Sequence, residues 1–336
     1  MEQKELIIIG AGPAGLKAGL DASRQGIDYM ILEKGEVAGA WREIRPDMPM
    51  LSPNHPQRDW TSISSQFPIW KLDVRRPFCS AEEFVTYLIK FSEHFNLNIK
   101  TGTTVAKISR AEDHFELDTS DGIFQARIVY NATGFFGNPF IPKIPGMRNN
   151  PLVSHSHSYQ SRNNFKGKRV IVIGGGNSAA EIAIDLVGHS QVYLLTRGKL
   201  EFFSKTNNLC HIRGISESLL LELIRMELIR YIPDSQIHKL DKNVLYYNDN
   251  HLETQAIICA TGYRPVLSHL RSLKITTEAV SKFPRVCETG ESPNTPDMFF
   301  GGPLGYHGPG SLFIHGFIKN IAPTINAIKY QLQQKN

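Results

Sequence analysis

Two stretches of this chain combine residue types and spacing suited to holding a nucleotide pyrophosphate. The first is Gly10-Ala11-Gly12-Pro13-Ala14-Gly15, directly after the apolar run Leu6 to Ile9. The second is Gly174-Gly175-Gly176-Asn177-Ser178-Ala179, directly after Val170 to Ile173. In each, the first glycine permits a tight turn and the second lets the backbone approach the phosphates. The third position, Gly15 or Ala179, lets the following helix pack on the strand and aim its N-terminus at the anion. One such motif is weak evidence, because glycine-rich strand-to-helix turns also occur with nothing bound. Two in strand–turn–helix context imply two dinucleotides, and the economical pair is a flavin and a nicotinamide coenzyme.

The residues ending the second strands separate the two sites. From Gly12 the chain runs through a helical stretch, Leu16 to Gln25, and a strand, Asp28 to Leu32, to Glu33. That is about 20 residues on, where a carboxylate accepts from a ribose 2′-hydroxyl. The second unit instead reaches Val192 to Leu195 and then Thr196-Arg197, with no acid. A guanidinium there binds a 2′-phosphate that a carboxylate would repel. The first site therefore suits FAD and the second NADPH.

The elements that must position these residues form an α/β pattern of two Rossmann-like dinucleotide-binding domains. The strand–helix–strand opening breaks at Gly39-Ala40-Trp41-Arg42, and a loop rich in proline and aromatics follows from about Pro46 to Pro77. Long loops of this kind are usually functional. Ser80 and Glu83 form a capping-box pair ahead of Phe84, Tyr87, Leu88 and Phe91 at helical spacing. Val105 to Val129 reads as short strands with a turn at Ser120-Asp121-Gly122, ending in Ala132-Thr133-Gly134. The second unit ends in a parallel phrase, Ala260-Thr261-Gly262. A glycine-rich stretch, Gly301 and Gly302 to Gly310, leads into a last helix from about Ser311. The layout implies an FAD domain in two parts, residues 1–150 and 265–336, with the NADPH domain, 151–264, inserted between them. Ser216 to Tyr231 carries apolar residues around most of a helical wheel. Burial within the protomer or a homodimer is the first reading, with a substrate lid or membrane-surface contact as alternatives.

The 336 residues suffice for two ordinary cores, and 37 basic against 32 acidic side chains make a mildly positive chain without a basic block. No nucleic-acid partner is expected. No apolar run reaches the roughly 18 residues of a membrane helix, and the first strand leaves no room for a signal peptide. Four scattered cysteines, Cys79, Cys210, Cys259 and Cys287, have neither Cys-x-x-Cys nor metal-ligand spacing. The expectation is a reduced cytoplasmic protein with no metal.

With both fingerprints and both Ala-Thr-Gly phrases in view, the chain resembles the two-dinucleotide-binding-domain flavoproteins, and within them the flavin-containing monooxygenase-like branch. The resemblance rests on Leu32-Glu33-Lys34 followed by Gly39-Ala40-Trp41-Arg42, and on Ala132-Thr133-Gly134 followed by Pro139, Pro142 and Pro145-Gly146. Phe165 to Val170 leading into Gly174 to Ala179 completes it. The motif around His155 to Tyr159 is half kept, with Asn149 and Pro151 in place of Phe and Gly. The resemblance implies that Lys34, Trp41, Arg42, Val105, Gly301 and Gly302 join the first fingerprint, Glu33 and Ala132 to Gly134 around FAD. Asn177, Ser178, Thr196, Arg197 and Ala260 to Gly262 would join the second around NADPH.

The implied reaction passes hydride from NADPH to the flavin and then activates molecular oxygen (O2) as a C4a-hydroperoxide. Its substrate would be a small molecule with a nucleophilic nitrogen or sulfur, or a carbonyl. Asn54 is the candidate amide for holding the distal oxygens. An NADPH-dependent flavin reductase with a quinone, disulfide or redox-protein acceptor is the alternative. The more distantly similar bacillithiol-disulfide-type reductases place a cysteine inside the first fingerprint, where this chain has Ala14. His155 and His157 could touch the nicotinamide ribose or brace the linker, and His307 could line a pocket.

Overall fold

The computed structural model describes residues 2–73 and 76–334. The chain divides into two units, one of residues 1–138 and 264–336 and one of residues 139–263.

The first unit opens with β1 (Glu2–Ile9), α1 (Pro13–Arg24), β2 (Tyr29–Leu32), the single turn α2 (Gly39–Arg42) and the hairpin pair β3 (Pro49–Pro53) and β4 (Phe78–Ser80). Then come α3 (Ala81–His94), β5 (Ile99–Lys100), β6 (Val105–Arg110), β7 (Phe115–Thr119) and β8 (Gly122–Asn131). Ser80 and Glu83 exchange side-chain-to-backbone bonds at the start of α3, the capping box expected from their spacing.

The second unit runs through β9 (Val153–His155), β10 (Arg169–Ile173), α4 (Asn177–Leu186), β11 (Gln191–Leu195), the short α5 (Phe203–Thr206), α6 (Gly214–Arg225) and β12 (Ile229–Ile232). A three-stranded antiparallel sheet follows, β13 (Ile237–Asp241), β14 (Val244–Tyr247) and β15 (Asn250–Glu253), before β16 (Ala256–Cys259). The chain then closes the first unit with β17 (Glu291–Ser292), β18 (Thr295–Phe300) and α7 (Ile314–Gln334).

In the first unit the sheet order is β17-β18-β8-β1-β2-β5, with β1 parallel to both β2 and β8 and the β6-β7 hairpin laid off β8. In the second it is β12-β11-β10-β16-β9, parallel throughout. Both leading strands are apolar at consecutive positions because both faces are covered. Leu6 and Ile8 enter one core with α1, α3 and α7, while Ile7 and Ile9 enter another with Phe115, Phe124 and Met298. Val170 and Val172 likewise face α4, while Ile171 and Ile173 face Leu240 and Leu245.

Two sequence readings shift. Residues 139–150 belong with the second unit, where Phe140 N–H donates to Gly262 O (2.9 Å) and Gly146 packs against the Leu240 backbone. The apolar 216–231 segment is not one buried helix. The helix stops at Arg225, Glu227 takes φ +58°, and β12 carries the rest to the sheet edge. Within α6 only Ser216 and Leu220 are buried, and Ile215, Leu219 and Leu221 are exposed. The wheel is apolar on several sides, but only the face toward α4 meets a core.

Candidate functional site

The first cradle forms where β1 ends. Gly10 turns at φ +103°, and a β-carbon there would sit 2.8 Å from Ala132 O, so the turn lies directly on the Ala132-Thr133-Gly134 phrase. Asn131, fully buried, accepts from Thr133 N–H (3.1 Å) and meets His269 Nε2 through its amide nitrogen (2.9 Å). Gly301 N–H donates to Asn131 O (2.9 Å), and a β-carbon on Gly302 would lie 2.8 Å from Ala14 Cβ. Gly10, Ala14, Ala132 and the Gly301-Gly302 turn are thereby brought together. Pro13, Ala14 and Gly15 are buried in the first turn of α1.

Glu33, buried at the end of β2, accepts from Ala11 N–H through Oε2 (2.7 Å) and from Gly35 N–H through Oε1 (3.0 Å). Thr103 N–H donates to Glu33 O (2.8 Å), which sets the strand beginning at Val105 beside the acid. Trp41 packs edge-on to Phe84 (4.7 Å) and near Phe136 (5.8 Å). Lys34 is exposed. Arg42 is also exposed and is engaged by Val37 O and the Glu36 carboxylate, both at 3.0 Å.

The fit of this cradle to a dinucleotide can be judged from its own atoms. The helix α1 begins at Gly12 with no side-chain cap, so its first N–H groups need acceptors from elsewhere. A β-carbon on Gly12 would meet nothing within 4 Å, which leaves open space directly in front of that helix end. An uncapped positive terminus, open space and a buried acid beyond the second strand are what pyrophosphate and ribose require.

The second cradle repeats the backbone. Gly174 turns at φ +143° with its would-be β-carbon 2.3 Å from Ala260 O, and α4 starts at Gly176 with no side-chain cap. Ser178 is exposed and Ala179 buried. Thr261 Oγ1 donates to Phe140 O, tying the Ala260-Thr261-Gly262 phrase to the chain entering the unit. At the end of β11, Thr196 is buried with its hydroxyl held by Gly198 O and by Tyr231 Oη (3.3 Å). Arg197 and Lys199 are exposed with no ion pair among the described residues. Asn177 uses its amide on residues 209–213, so only its backbone is free to serve an anion.

Asn54 follows β3, with its N–H donating to Pro77 O (2.7 Å). Its side-chain Oδ1 is buried and has no hydrogen-bond partner among the described residues. An orphaned buried amide oxygen costs stability, and such sites are often completed by a ligand or water.

His155 braces rather than reaches outward. It meets Gly262 O through Nε2 (2.9 Å) and accepts from His157 N–H through Nδ1 (3.0 Å), and burial pulls its pKa down to about 4. His157 lies by Tyr263, with 3.4 Å between Nδ1 and Oη. His307 is exposed.

Sequence reasoning missed Tyr130 and Asn131, whose positions just before Ala132 were the available signal. It also missed His269, Lys199 and Arg213, which no motif marks. A β-carbon on Gly301 would land 1.8 Å from the Tyr130 hydroxyl, so Tyr130 shapes the C-terminal turn of the cradle. A cavity of about 500 Å3 opens between Lys17 and Arg24 of α1, Trp70 and Ile318, and none of the fingerprint glycines lines it.

The sequence profile of the pyridine nucleotide-disulphide oxidoreductase family matches residues 7–302, which spans both cradles. The chain belongs to this family. Its members are FAD-binding, NAD(P)H-dependent flavoproteins, so this oxidoreductase has the two cofactor classes that its two cradles fit. Among individual proteins, a probable indole-3-pyruvate monooxygenase, YUCCA1 of Arabidopsis thaliana, is 30% identical over 195 residues, 55% of this chain and 44% of that protein. The chain spans between 34% and 56% of the lengths of the first curated relatives it matches. Two solved structures share the fold. Bacillithiol disulfide reductase Bdr (YpdA) from Staphylococcus aureus has TM-score 0.86 at 22% identity, covering all of both chains. A flavin-containing monooxygenase from Stenotrophomonas maltophilia has TM-score 0.85 at 23% identity, covering 98% of this chain and 99% of that one.

Proposed function

We propose that this oxidoreductase is an FAD- and NADPH-dependent monooxygenase acting on a small nitrogen or sulfur nucleophile or a small carbonyl compound. Bound FAD would supply the two electrons, taken from NADPH as hydride, that activate molecular oxygen. The observation that favours oxygen over a thiol acceptor is the condition of the cysteines. Cys79 and Cys259 are buried and free, and burial pushes both thiols up to about 12. Burial also raises Cys210. A thiol relay needs an accessible thiolate of lowered pKa, and these three are driven the other way. Cys287 is exposed but lies outside both fingerprints.

In this reading the open front of Gly12 and the uncapped end of α1 hold the FAD pyrophosphate, and Glu33 accepts from its ribose. The α4 terminus and Arg197, seconded by Lys199, take the NADPH pyrophosphate and 2′-phosphate. Asn54 offers an amide whose oxygen has no other partner among the described residues, and its role is to hold a polar reaction partner in place while water is excluded. The monooxygenase activities of YUCCA1 and of the Stenotrophomonas protein support the oxygen-using branch.

The full-length likeness to a bacillithiol disulfide reductase favours a second reading, an NADPH-driven flavin reductase with a quinone or disulfide acceptor. Oxygen uptake during NADPH oxidation, with isotopically labelled oxygen appearing in a product from cell extract, supports the first. Fast anaerobic turnover with quinones or disulfides and no oxygen incorporation supports the second. Within the first reading, Asn54→Ala leaves anaerobic flavin reduction by NADPH nearly unchanged. It raises the rate of hydrogen peroxide release relative to oxygen transfer by about ten- to a hundred-fold, the worth of one hydrogen bond of about 1.5–3 kcal/mol.

A further inference from the structure

The segment 201–213 is a closed loop whose two stems pair. Phe203 N–H donates to Ile212 O (2.8 Å), Ile212 N–H donates to Glu201 O (3.0 Å), and Phe202 and Ile212 are buried in the core of the second unit. Its tip is braced internally. His211 meets Thr206 Oγ1 (2.8 Å) and the Glu201 carboxylate (3.0 Å), while Cys210 N–H donates to Asn208 Oδ1 (3.0 Å).

What fastens the tip to the cradle is the side chain of Asn177, the first residue of α4. Its Nδ2 donates to His211 O (3.0 Å) and Leu209 O (3.3 Å). Its Oδ1 accepts from Arg213 N–H (3.0 Å) and Arg213 Nε (3.3 Å). The Arg213 guanidinium also pairs with Glu181, one turn further along α4. A fingerprint asparagine read from sequence as a coenzyme contact therefore spends all of its amide on its own chain. The consequence lies one residue earlier, where Cys210 O stands 3.7 Å from the position of a β-carbon on Gly176.

We propose that Asn177 is a positioning residue that latches the 207–213 segment onto the first turn of α4, making that segment a wall of the second cradle. A coenzyme held there covers Cys210. The second half of this proposal rests on the reading that the second cradle takes NADPH. The first half concerns the chain alone. Two carbonyls and one backbone N–H of the segment are satisfied by a single amide, so removing it leaves all three to find water, which the wall finds by lifting away.

The test uses Cys210 as a reporter in purified protein carrying its FAD and the substitution Cys287→Ser, which removes the exposed thiol. Modification of Cys210 by a thiol reagent such as dithiobis(nitrobenzoate) is followed with and without NADP+, and NADP+ binding is measured separately by equilibrium dialysis. Asn177→Ala speeds labelling without NADP+ by at least about fivefold, the effect of one net hydrogen bond on a local opening equilibrium. Asn177→Asp keeps the acceptor for Arg213 but turns a carboxylate toward two carbonyls, so it labels as fast as the alanine variant. In the background protein, saturating NADP+ slows labelling by about tenfold or more. Asn177→Ala also raises KM for NADPH while kcat changes little. Arg213→Met, which removes one side-chain bond to Asn177 and the Glu181 pair, moves labelling in the same direction by less, and stands in if Asn177→Ala does not fold.

Equal labelling in the background protein and both Asn177 variants overturns the latch. Fast labelling in the alanine variant but background labelling in the aspartate variant places the hold on Arg213 and overturns the role given to the two carbonyls. NADP+ that binds but leaves Cys210 labelling unchanged overturns the wall. NADP+ that does not bind at all overturns the coenzyme reading and the covering of Cys210, while the labelling rates without NADP+ still decide the latch.

Discussion

In the first unit Gly10 turns at φ +103° onto Ala132 O, and in the second Gly174 turns at φ +143° onto Ala260 O. Each turn feeds an uncapped helix, and each has a buried histidine beside its Ala-Thr-Gly phrase, His269 through Asn131 and His155 through Gly262. The two cradles part company in what surrounds this backbone. The space in front of Gly12 is open and a buried acid stands beyond β2, whereas Gly176 faces a wall and exposed Arg197 stands beyond β11. In the proposed reading the shared backbone binds the feature common to both coenzymes, a pyrophosphate. Choice between coenzymes is left to a few side chains outside the turn.

The pair of histidines gives the largest effect by which the likeness can be broken. Burial pulls both below the ordinary imidazole value, to about 4. The unfolded chain takes up a proton at each near pH 6.5 while the folded chain does not. Stability from each is therefore present above that value and is lost as pH falls toward about 4. The loss is about 3 kcal/mol per histidine over that window. Urea midpoints measured across it fall in the wild type and fall less steeply in His155→Asn or His269→Asn. If one substitution flattens the profile and the other leaves it unchanged, the two units are not braced alike.

A smaller effect sharpens the difference at the strand ends. NADPH is preferred over NADH in kcat/KM by at least about tenfold, the size of one charge-assisted contact of about 1.5 kcal/mol. Arg197→Glu removes the preference, acting mainly on KM for NADPH. Wild-type protein using NADH equally well would leave the second cradle without its distinguishing residue.

A third contrast lies within α6, between two neighbouring leucines. Leu219 is exposed and Leu220 fully buried one position on. Leu219→Ser changes stability by no more than about 0.5 kcal/mol, whereas Leu220→Ala costs about 2–5 kcal/mol. Chemical denaturation of both variants checks the pair.

These regions also show what could be read from sequence and what could not. The cradles were legible because a glycine that must turn at positive φ, and must let a backbone approach, has no substitute. Glu33 and Arg197 were legible as candidates because each sits at a fixed distance along a strand–helix–strand unit. The Ser80–Glu83 cap was legible because its partners are three residues apart. The wall at Cys210 was not, since Asn177 reaches it across more than thirty residues of chain that carry no motif. Asn131–His269 was hidden for the same reason, being a contact between residues 138 positions apart. The α6 segment misled because an apolar wheel reports composition, while burial depends on which side meets a core.

The central claim, that one chain holds two different dinucleotides in two like cradles, is tested most directly by two matched substitutions. Gly12→Val and Gly176→Val each fill the space in front of one helix terminus. FAD per chain is measured by absorbance of the purified proteins and NADP+ affinity by equilibrium dialysis. The account predicts that Gly12→Val is colourless and retains NADP+ binding. It predicts that Gly176→Val is yellow with full FAD and binds NADP+ at least about tenfold more weakly, the cost of a contact worth about 1.4 kcal/mol. A Gly12→Val protein with full FAD, or a Gly176→Val protein that loses its flavin, would contradict it.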